Sequence, residues 1–204
     1  MKAVKTQILK IKGSWQDVVD DCRSTVSKPP LGKEPSRQFK RDILISEHGP
    51  IRSISIRWVW DGIKSWVATH FSRHKWECFI STQRTDRTGD NRDDAPQSAP
   101  VIFKGDANTQ HVIDTGRKRL CFMASPETRI QMEEFKVELH EIEPEIAEVI
   151  CPNCVYRFGC PELNGGCGWW TKFLERHPEI TVNTSIQERY DIYNAEFFER
   201  KTQA

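Results

Sequence analysis

The chain has almost no net charge. Its 30 Lys and Arg residues nearly balance 29 Asp and Glu residues, which leaves a formal net charge of +1. A protein that coats nucleic acid normally carries a clear positive excess, because neutralised phosphates supply much of its affinity. The balance therefore argues against nucleic acid as a partner and favours a small phosphate-bearing ligand held in a local basic pocket.

Long apolar runs are also missing. No stretch approaches the roughly 20 apolar residues that a membrane-spanning helix needs, and Met1–Lys5 lacks the apolar region of a signal peptide. We therefore expect a cytoplasmic protein with no membrane partner. In a reducing compartment the seven cysteines are more often thiols or metal ligands than disulfides.

Patterning predicts both strands and helices. Apolar and polar residues loosely alternate from Lys2 to Lys12, a strand pattern whose flaw is the adjacent Ile8-Leu9 pair. Phe39–Ser46 and Ile54–Trp60 are expected to be extended. Helices are predicted after Ser14, at Asn108–Phe122, from Ser125-Pro126 to Ile142, at Trp169–Leu174 and at Ile186–Phe198. The polar, turn-rich Thr85–Val101 predicts a surface loop, with a lid over a neighbouring site as the alternative.

Four cysteines towards the C-terminus have the spacing of metal ligands. Cys151, Cys154, Cys160 and Cys167 form the pattern C-x2-C-x5-C-x6-C. The first pair is spaced like a metal knuckle, and two further thiolates complete a tetrahedral set. Because sulfur would fill all four positions, the predicted zinc ion is structural. An iron–sulfur cluster and free or redox-active thiols remain the alternatives.

The segment from Phe71 to Arg84 is rich in groups that bind anions. Arg73 and Arg84 each offer a planar fork of donors suited to phosphate or carboxylate oxygens, and Lys75 adds a more mobile charge. His74 donates or accepts a hydrogen bond according to its tautomer. The segment predicts an anion-binding site, although residue types alone fit a solvated surface strand or helix equally well.

The order of these residues resembles the signature of the flavin-dependent thymidylate synthases. In that family Arg-His-Arg is followed by a seven-residue spacer and Ser-x-Arg. Here Arg73-His74-Lys75 is followed by six residues and Thr82-Gln83-Arg84. Lysine thus replaces the third signature residue, and Thr82 comes one position early unless Ser81 takes the place of the serine.

A second segment strengthens the resemblance. Asn108, Gln110, Asp114 and Arg119 have the spacing of a family segment that carries Asn, Arg, Asn and Arg. The two segments occur in the family order and lie within residues 43–142. The chain therefore resembles a divergent member of this family.

The resemblance implies an enzyme that methylates dUMP to dTMP. Methylenetetrahydrofolate would supply the carbon, FAD would carry hydride and NADPH would recharge the flavin. Arg119 and Arg84 are the implied catalytic residues, and the implied substrate contacts are Arg84, Thr82, Ser81, Arg119 and His70. The residues implied to hold the flavin are Arg73, His74, Lys75, Glu47, His48, Asn108, Gln110 and Asp114. Asp114 replaces an amide, so it would repel a pyrophosphate unless a cation intervenes.

The resemblance also implies the architecture. We expect an α/β fold with a central, mainly antiparallel, twisted sheet flanked by helices, assembled as a homotetramer with shared sites. The lack of a glycine-rich phosphate loop fits a shared site, because basic residues must then come from more than one surface. Residues 1–148 would form the synthase-like domain. Residues 149–204 would add the Cys-rich zinc-binding loop and terminal helices to the same compact unit.

Two other functions stay open. The same scaffold could hydroxymethylate dUMP or dCMP, with water replacing hydride, as would suit an organism or virus that modifies its DNA precursors. Alternatively, the chain is a non-catalytic, zinc-containing module that binds a nucleotide or nucleic acid. Its phosphate contacts would then be Arg73, Lys75, Arg84, Arg87 and Arg92. The near-zero net charge counts against the module.

Overall fold

A single four-stranded sheet forms the centre of the computed structural model, which describes residues 4–163 and 165–203. The strands are β1 (Lys5–Lys12), β2 (Ser55–Lys64), β3 (Glu77–Ile80) and β4 (Pro100–Asn108). Their order in the sheet is β1-β2-β4-β3, and each of these pairings is antiparallel. The predicted α/β fold with a mainly antiparallel sheet is therefore confirmed.

Helices cover one face of the sheet, because the residues of β2 and β4 alternate between buried and more exposed positions. They are α1 (Trp15–Ser24), α2 (Arg37–Ile45), α3 (Ser65–Ser72), α4 (Thr85–Thr88), α5 (Thr109–Arg119), α6 (Pro126–His140), α7 (Pro144–Glu148), α8 (Asn153–Arg157), α9 (Trp169–Arg176) and α10 (Ile186–Thr202). Short 3-10 helices lie at Gly49–Ser53 and Arg92–Asp94. Within the described ranges no helix combines the length and apolarity needed to cross a membrane.

Aromatic side chains fill the core against β2. Every second residue from Ile56 to Trp60 is buried, because successive strand side chains point to opposite faces. The Trp58 ring meets Phe135 of α6 edge-on at a centroid distance of 5.0 Å. Trp60 packs against Phe71 of α3 at 4.5 Å and Phe103 of β4 at 5.1 Å. Helices α3 and α6 are thus anchored to the sheet by aromatic packing.

Two irregularities in the strand patterns are β-bulges. The pairing of β1 with β2 shifts register between Ile8 and Lys10, so Leu9 is the extra residue and is exposed. The adjacent Ile8-Leu9 pair in the sequence therefore marks a bulge. A second register shift lies at Gly62, whose φ of 88° favours glycine, so the chain continues as a strand there.

The prediction that Phe39–Ser46 is extended is wrong, because these residues belong mainly to α2. The Ser36 hydroxyl caps the helix by accepting a hydrogen bond from the backbone N–H of Phe39. Phe39 and Ile43 lie one turn apart and pack on the core beside buried Leu44. The i, i+4 spacing of these apolar residues is the helical signal.

The C-terminal helix packs on the same core as the sheet. Helix α10 begins with a capping box formed by Ser185 and Glu188. Fully buried Lys136 of α6 donates a hydrogen bond to Asn194 Oδ1 of α10 at 2.7 Å. Both predicted C-terminal helices are present, and the core cluster includes residues from Ile8 to Phe197.

Candidate functional site

A cationic cluster forms where the end of α3 meets the end of α5. We call it the Arg119 cluster and define it as His70, Arg73, His74 and Arg119. Arg119, the last residue of α5, donates from Nε to His74 Nε2 at 2.7 Å and from Nη2 to the His70 carbonyl at 3.1 Å. The structure therefore brings together two residues assigned to the substrate, His70 and Arg119, and two assigned to the flavin, Arg73 and His74.

The acceptors of Arg119 leave its positive charge without an acidic partner. An imidazole and a backbone carbonyl accept from two of its five N–H donors. In residues 4–163 and 165–203 no carboxylate forms an ion pair with Arg119. Burial lowers the pKa of Arg119, and the charge of Arg73 lowers it further. Two guanidinium groups this close together suit an anion or an electron-rich oxygen.

The imidazoles of the cluster are held neutral. Burial and the nearby charges of Arg119 and Lys118 lower the pKa of His74 from 6.5 to about 4. Burial and the charges of Arg119 and Arg73 also lower the pKa of His70, whose Nδ1 lies 3.1 Å from the Thr128 hydroxyl. Neutral His74 accepts from Arg119 and orients its guanidinium without adding charge.

A second group of predicted residues meets nearer the start of α5. Gln110 donates from Nε2 to Glu47 Oε2 at 2.6 Å and to Asp114 Oδ1 at 3.2 Å. Glu47 follows Ser46, the C-cap of α2, and adopts a positive φ of 50°. We call Glu47, Gln110, Asp114 and Arg117 the Glu47 cluster.

Arg117 is a member of the Glu47 cluster that the sequence interpretation missed. It forms an ion pair with Glu47, lies 3.8 Å from Asp114 Oδ1 and stacks over the Tyr156 ring at 3.6 Å. Burial raises the pKa of Glu47, but the hydrogen bonds from Arg117 and Gln110 lower it overall. Arg117 is thus the cation beside Asp114, and the i, i+3 spacing of the two residues was the available signal.

Two predicted flavin contacts have local partners. Asn108 is the N-cap of α5, and its Oδ1 accepts from the backbone N–H of His111 at 3.0 Å. Its amide N–H groups stay available as donors. His48 Nδ1 lies 3.9 Å from Cys22 Sγ of α1. Asn108 therefore sets the start of the helix that carries both clusters, whereas His48 faces α1.

Ser81 and Thr82 line a large cleft at the other end of the sheet. The cleft has a volume of about 1070 Å³ and is bounded by Lys64 and by residues of the segment from Thr88 to Ile102. Ser81 Oγ accepts from the Ile102 N–H at 2.9 Å, which extends the pairing of β3 with β4. The segment Thr85–Val101, predicted as a surface loop with a lid as the alternative, therefore forms a wall of this cleft. The volume is sufficient for a nucleotide.

Arg84 is exposed and paired locally. Its Nε and Nη2 donate to the two carboxylate oxygens of Asp86 at 3.0 and 2.6 Å. The two side chains are 60% and 58% exposed, so the pair is weak and its guanidinium can exchange partners at little cost. Within this chain Arg84 does not join the Arg119 cluster by any described hydrogen bond.

The four predicted zinc ligands are divided. Cys154, Cys160 and Cys167 line a cavity of about 60 Å³ together with Cys121. Cys151 is fully buried, does not line that cavity, and donates from Sγ to the Glu148 carbonyl at 3.3 Å. Across the described residues no group of three His, Cys, Asp or Glu side chains is arranged to hold a metal ion.

Comparison with known proteins identifies the fold. No protein-family model and no curated protein sequence matches the chain. Among solved structures, the chain is similar to the UMP/dUMP methylase PolB from Streptomyces cacaoi bound with 5-Br dUMP, with a TM-score of 0.58 and 12% identity. The match covers 72% of this chain and 94% of that one. The chain therefore has the fold of a pyrimidine-nucleotide methylase, and at this identity the similarity establishes the fold alone.

Proposed function

We propose that the protein transfers a one-carbon unit from methylenetetrahydrofolate to C5 of a pyrimidine deoxynucleotide, converting dUMP to dTMP. The observation that carries this proposal is the convergence of His70, Arg73, His74 and Arg119 in a cationic cluster. Three of these residues come from the first signature segment or the helix before it, and the fourth comes from the second segment. Their meeting within one chain supports a common nucleotide-binding site.

The fold supports the same substrate class. The similar solved structure is described as a UMP/dUMP methylase and contains a halogenated dUMP. That description agrees with the substrate implied by the signature residues of this chain. Two independent features, the fold and the residue order, thus indicate a pyrimidine nucleotide.

The residues around α5 fit a phosphate-bearing cofactor such as FAD. The Arg119 cluster offers guanidinium donors, and Arg117 offsets the negative charge of Asp114 in the Glu47 cluster. Arg73, His74, Lys75, Asn108 and Gln110 would hold the flavin, beside Glu47. A flavin held there and reduced by NADPH would supply the hydride chemistry that the conversion of the transferred carbon to a methyl group requires.

Arg119 activates the pyrimidine by charge and position. Its unused N–H donors point a fixed positive charge at a uracil oxygen, and negative charge grows on that oxygen as C5 becomes nucleophilic. His74 keeps the guanidinium plane in place through its 2.7 Å hydrogen bond. This chemistry needs no cysteine nucleophile.

In a homotetramer, Arg84 and Thr82 of one protomer bind the phosphate of the nucleotide that occupies the site of a neighbouring protomer. This assignment is supported by the exposure of Arg84 and by its replaceable partner Asp86. An exposed arginine is available to a second subunit, where a bidentate contact with phosphate would replace the local ion pair.

The test is a product assay with the purified full-length protein. FAD, NADPH and methylenetetrahydrofolate are combined with dUMP, UMP or dCMP, and products are weighed by mass spectrometry. We expect dUMP to gain a methyl group, and Arg119→Ala to lower kcat/KM about 100- to 1000-fold. Arg57→Ala, which removes an exposed arginine of β2, serves as the matched control and should keep full activity.

The products separate this proposal from its alternatives. A product that carries a hydroxymethyl group on dUMP or dCMP would mean that the same site hydroxymethylates its substrate and does not methylate it. A colourless protein that binds nucleotide or nucleic acid but leaves every substrate unchanged would favour the non-catalytic module. Full turnover in Arg119→Ala would remove the proposed role of that residue.

A further inference from the structure

Four thiols from separate parts of the chain surround one small cavity. Cys121 follows α5, Cys154 lies in α8, and Cys160 and Cys167 lie between α8 and α9. The cavity volume of about 60 Å³ is roughly twice the volume that one water molecule occupies in liquid water. The space is far below the roughly 300 Å³ of a small organic ligand, so its size suits a single ion.

Cys121 lines the same cavity as Cys154, Cys160 and Cys167. It is therefore placed with these three cysteines, although it lies outside their C-terminal spacing pattern.

Glycines shape the loop around the Cys160 sulfur. Gly165, Gly166 and Gly168 have φ values of 78°, 69° and 73°, a conformation that other residues rarely adopt. A Cβ atom at Gly166 would collide with Cys160 Sγ. The chain therefore turns tightly against a thiol, as the loop of a sulfur-ligated metal site must.

We propose that Cys121, Cys154, Cys160 and Cys167 bind one zinc ion with tetrahedral sulfur coordination. Cys121 takes the place that the spacing pattern gave to Cys151, whose thiol instead donates to the Glu148 carbonyl. Four sulfur ligands select a soft or borderline cation such as zinc. On binding, each thiol gives up its proton to solvent and the sulfur atoms close to about 2.3 Å from the ion.

The exposed loop is the part that closes. Cys160 and Cys167 are exposed, whereas Cys154 is buried in α8 and Cys121 is half-buried. The ion would fasten the C-terminal segment to the residue two positions after Arg119. This site is independent of the proposed enzymatic activity and would be present in an inactive protein.

The test is the metal content of the purified full-length protein and of two matched variants, measured by mass spectrometry of the elements. We expect one zinc ion per chain, loss of that ion in Cys121→Ser, and retention in Cys151→Ser. A wild-type protein without zinc, or with iron in its place, overturns the proposal. Retention of zinc by Cys121→Ser also overturns it.

A ligand exchange keeps the test decisive if Cys121→Ser does not fold. Histidine can replace cysteine as a zinc ligand, so Cys121→His should keep the ion. X-ray absorption should then show one nitrogen and three sulfur ligands, against four sulfur ligands in the wild type and in Cys151→His. Four sulfur ligands in Cys121→His, or a nitrogen ligand in Cys151→His, would assign the site to Cys151 and reject the proposal.

Discussion

Arg119 Nε donates a hydrogen bond to His74 Nε2 at 2.7 Å, so two residues 45 positions apart meet at one point. Because Nε2 accepts, the proton of the neutral ring is on Nδ1. The imidazole fixes the orientation of the guanidinium and leaves its charge uncompensated. A carboxylate in the same place would neutralise that charge and weaken the attraction for an anionic ligand.

His74 should make stability depend on pH. Its pKa is about 4 in the folded protein and near 6.5 when unfolded, so the unfolded chain binds more protons between these values. The free energy of unfolding should therefore fall as the pH is lowered from about 6.5 to about 4. Urea denaturation across this range should show a shallower fall for His74→Gln, which keeps an acceptor for Arg119. An identical pH dependence in both proteins would refute the buried, neutral imidazole.

Arg84→Ala should impair catalysis without weakening the fold. Its exposed ion pair with Asp86 contributes less than about 1 kcal/mol, so the thermal midpoint should stay close to that of the wild type. A charged hydrogen bond to phosphate contributes about 1.5–3 kcal/mol, so kcat/KM for dUMP should fall about 10- to 100-fold. Arg87→Ala, which removes the neighbouring exposed arginine, is the control. Equal losses in the two variants would argue against a specific phosphate contact.

Glu47→Gln should destabilise the protein. The substitution removes the charged partner of Arg117, whose side chain is only 10% exposed, and should cost about 1–3 kcal/mol. Asp86→Asn breaks an ion pair of the same chemistry at an exposed position and should cost less than about 1 kcal/mol. Chemical denaturation of the two variants measures the difference. Similar costs would mean that Arg117 is not held by Glu47.

Gly116→Ala should also be destabilising, through packing. A Cβ atom at this position of α5 would collide with the Ile150 side chain, which is fully buried. Overpacking costs about 1–3 kcal/mol, and the better helix propensity of alanine offsets about 1 kcal/mol of it. Gly49→Ala is the control, because no atom lies within 4 Å of the added group there. A thermal midpoint for Gly116→Ala at or above that of the control would contradict the close approach of α5 to Ile150.

Local signals predicted much of the fold. Ser125-Pro126 correctly marks the start of α6, and the flaw at Ile8-Leu9 is a bulge. Each of these features is decided by neighbouring residues. The prediction for Phe39–Ser46 was wrong, although the Ser36 cap and the i, i+4 spacing of Phe39 and Ile43 are local helical signals.

The site was predictable only where the signature residues carried it. Arg73, His74 and Arg119 do meet. The role of Arg117 was missed because its ion pair is with Glu47, which lies far away in the sequence and adopts φ 50°. Cys121 likewise lies 33 residues before Cys154 by sequence number, so spacing within the C-terminal cluster favoured Cys151. Contacts between distant segments are set by packing, which a local pattern does not contain.

The most direct test of the nucleotide site is a crystal structure with 5-bromo-dUMP, located by the anomalous scattering of bromine. The proposed function predicts a bromine peak beside the Arg119 cluster, with the phosphate bound by Arg84 of a neighbouring protomer. A bromine peak remote from Arg73, His74 and Arg119 in every protomer would contradict it.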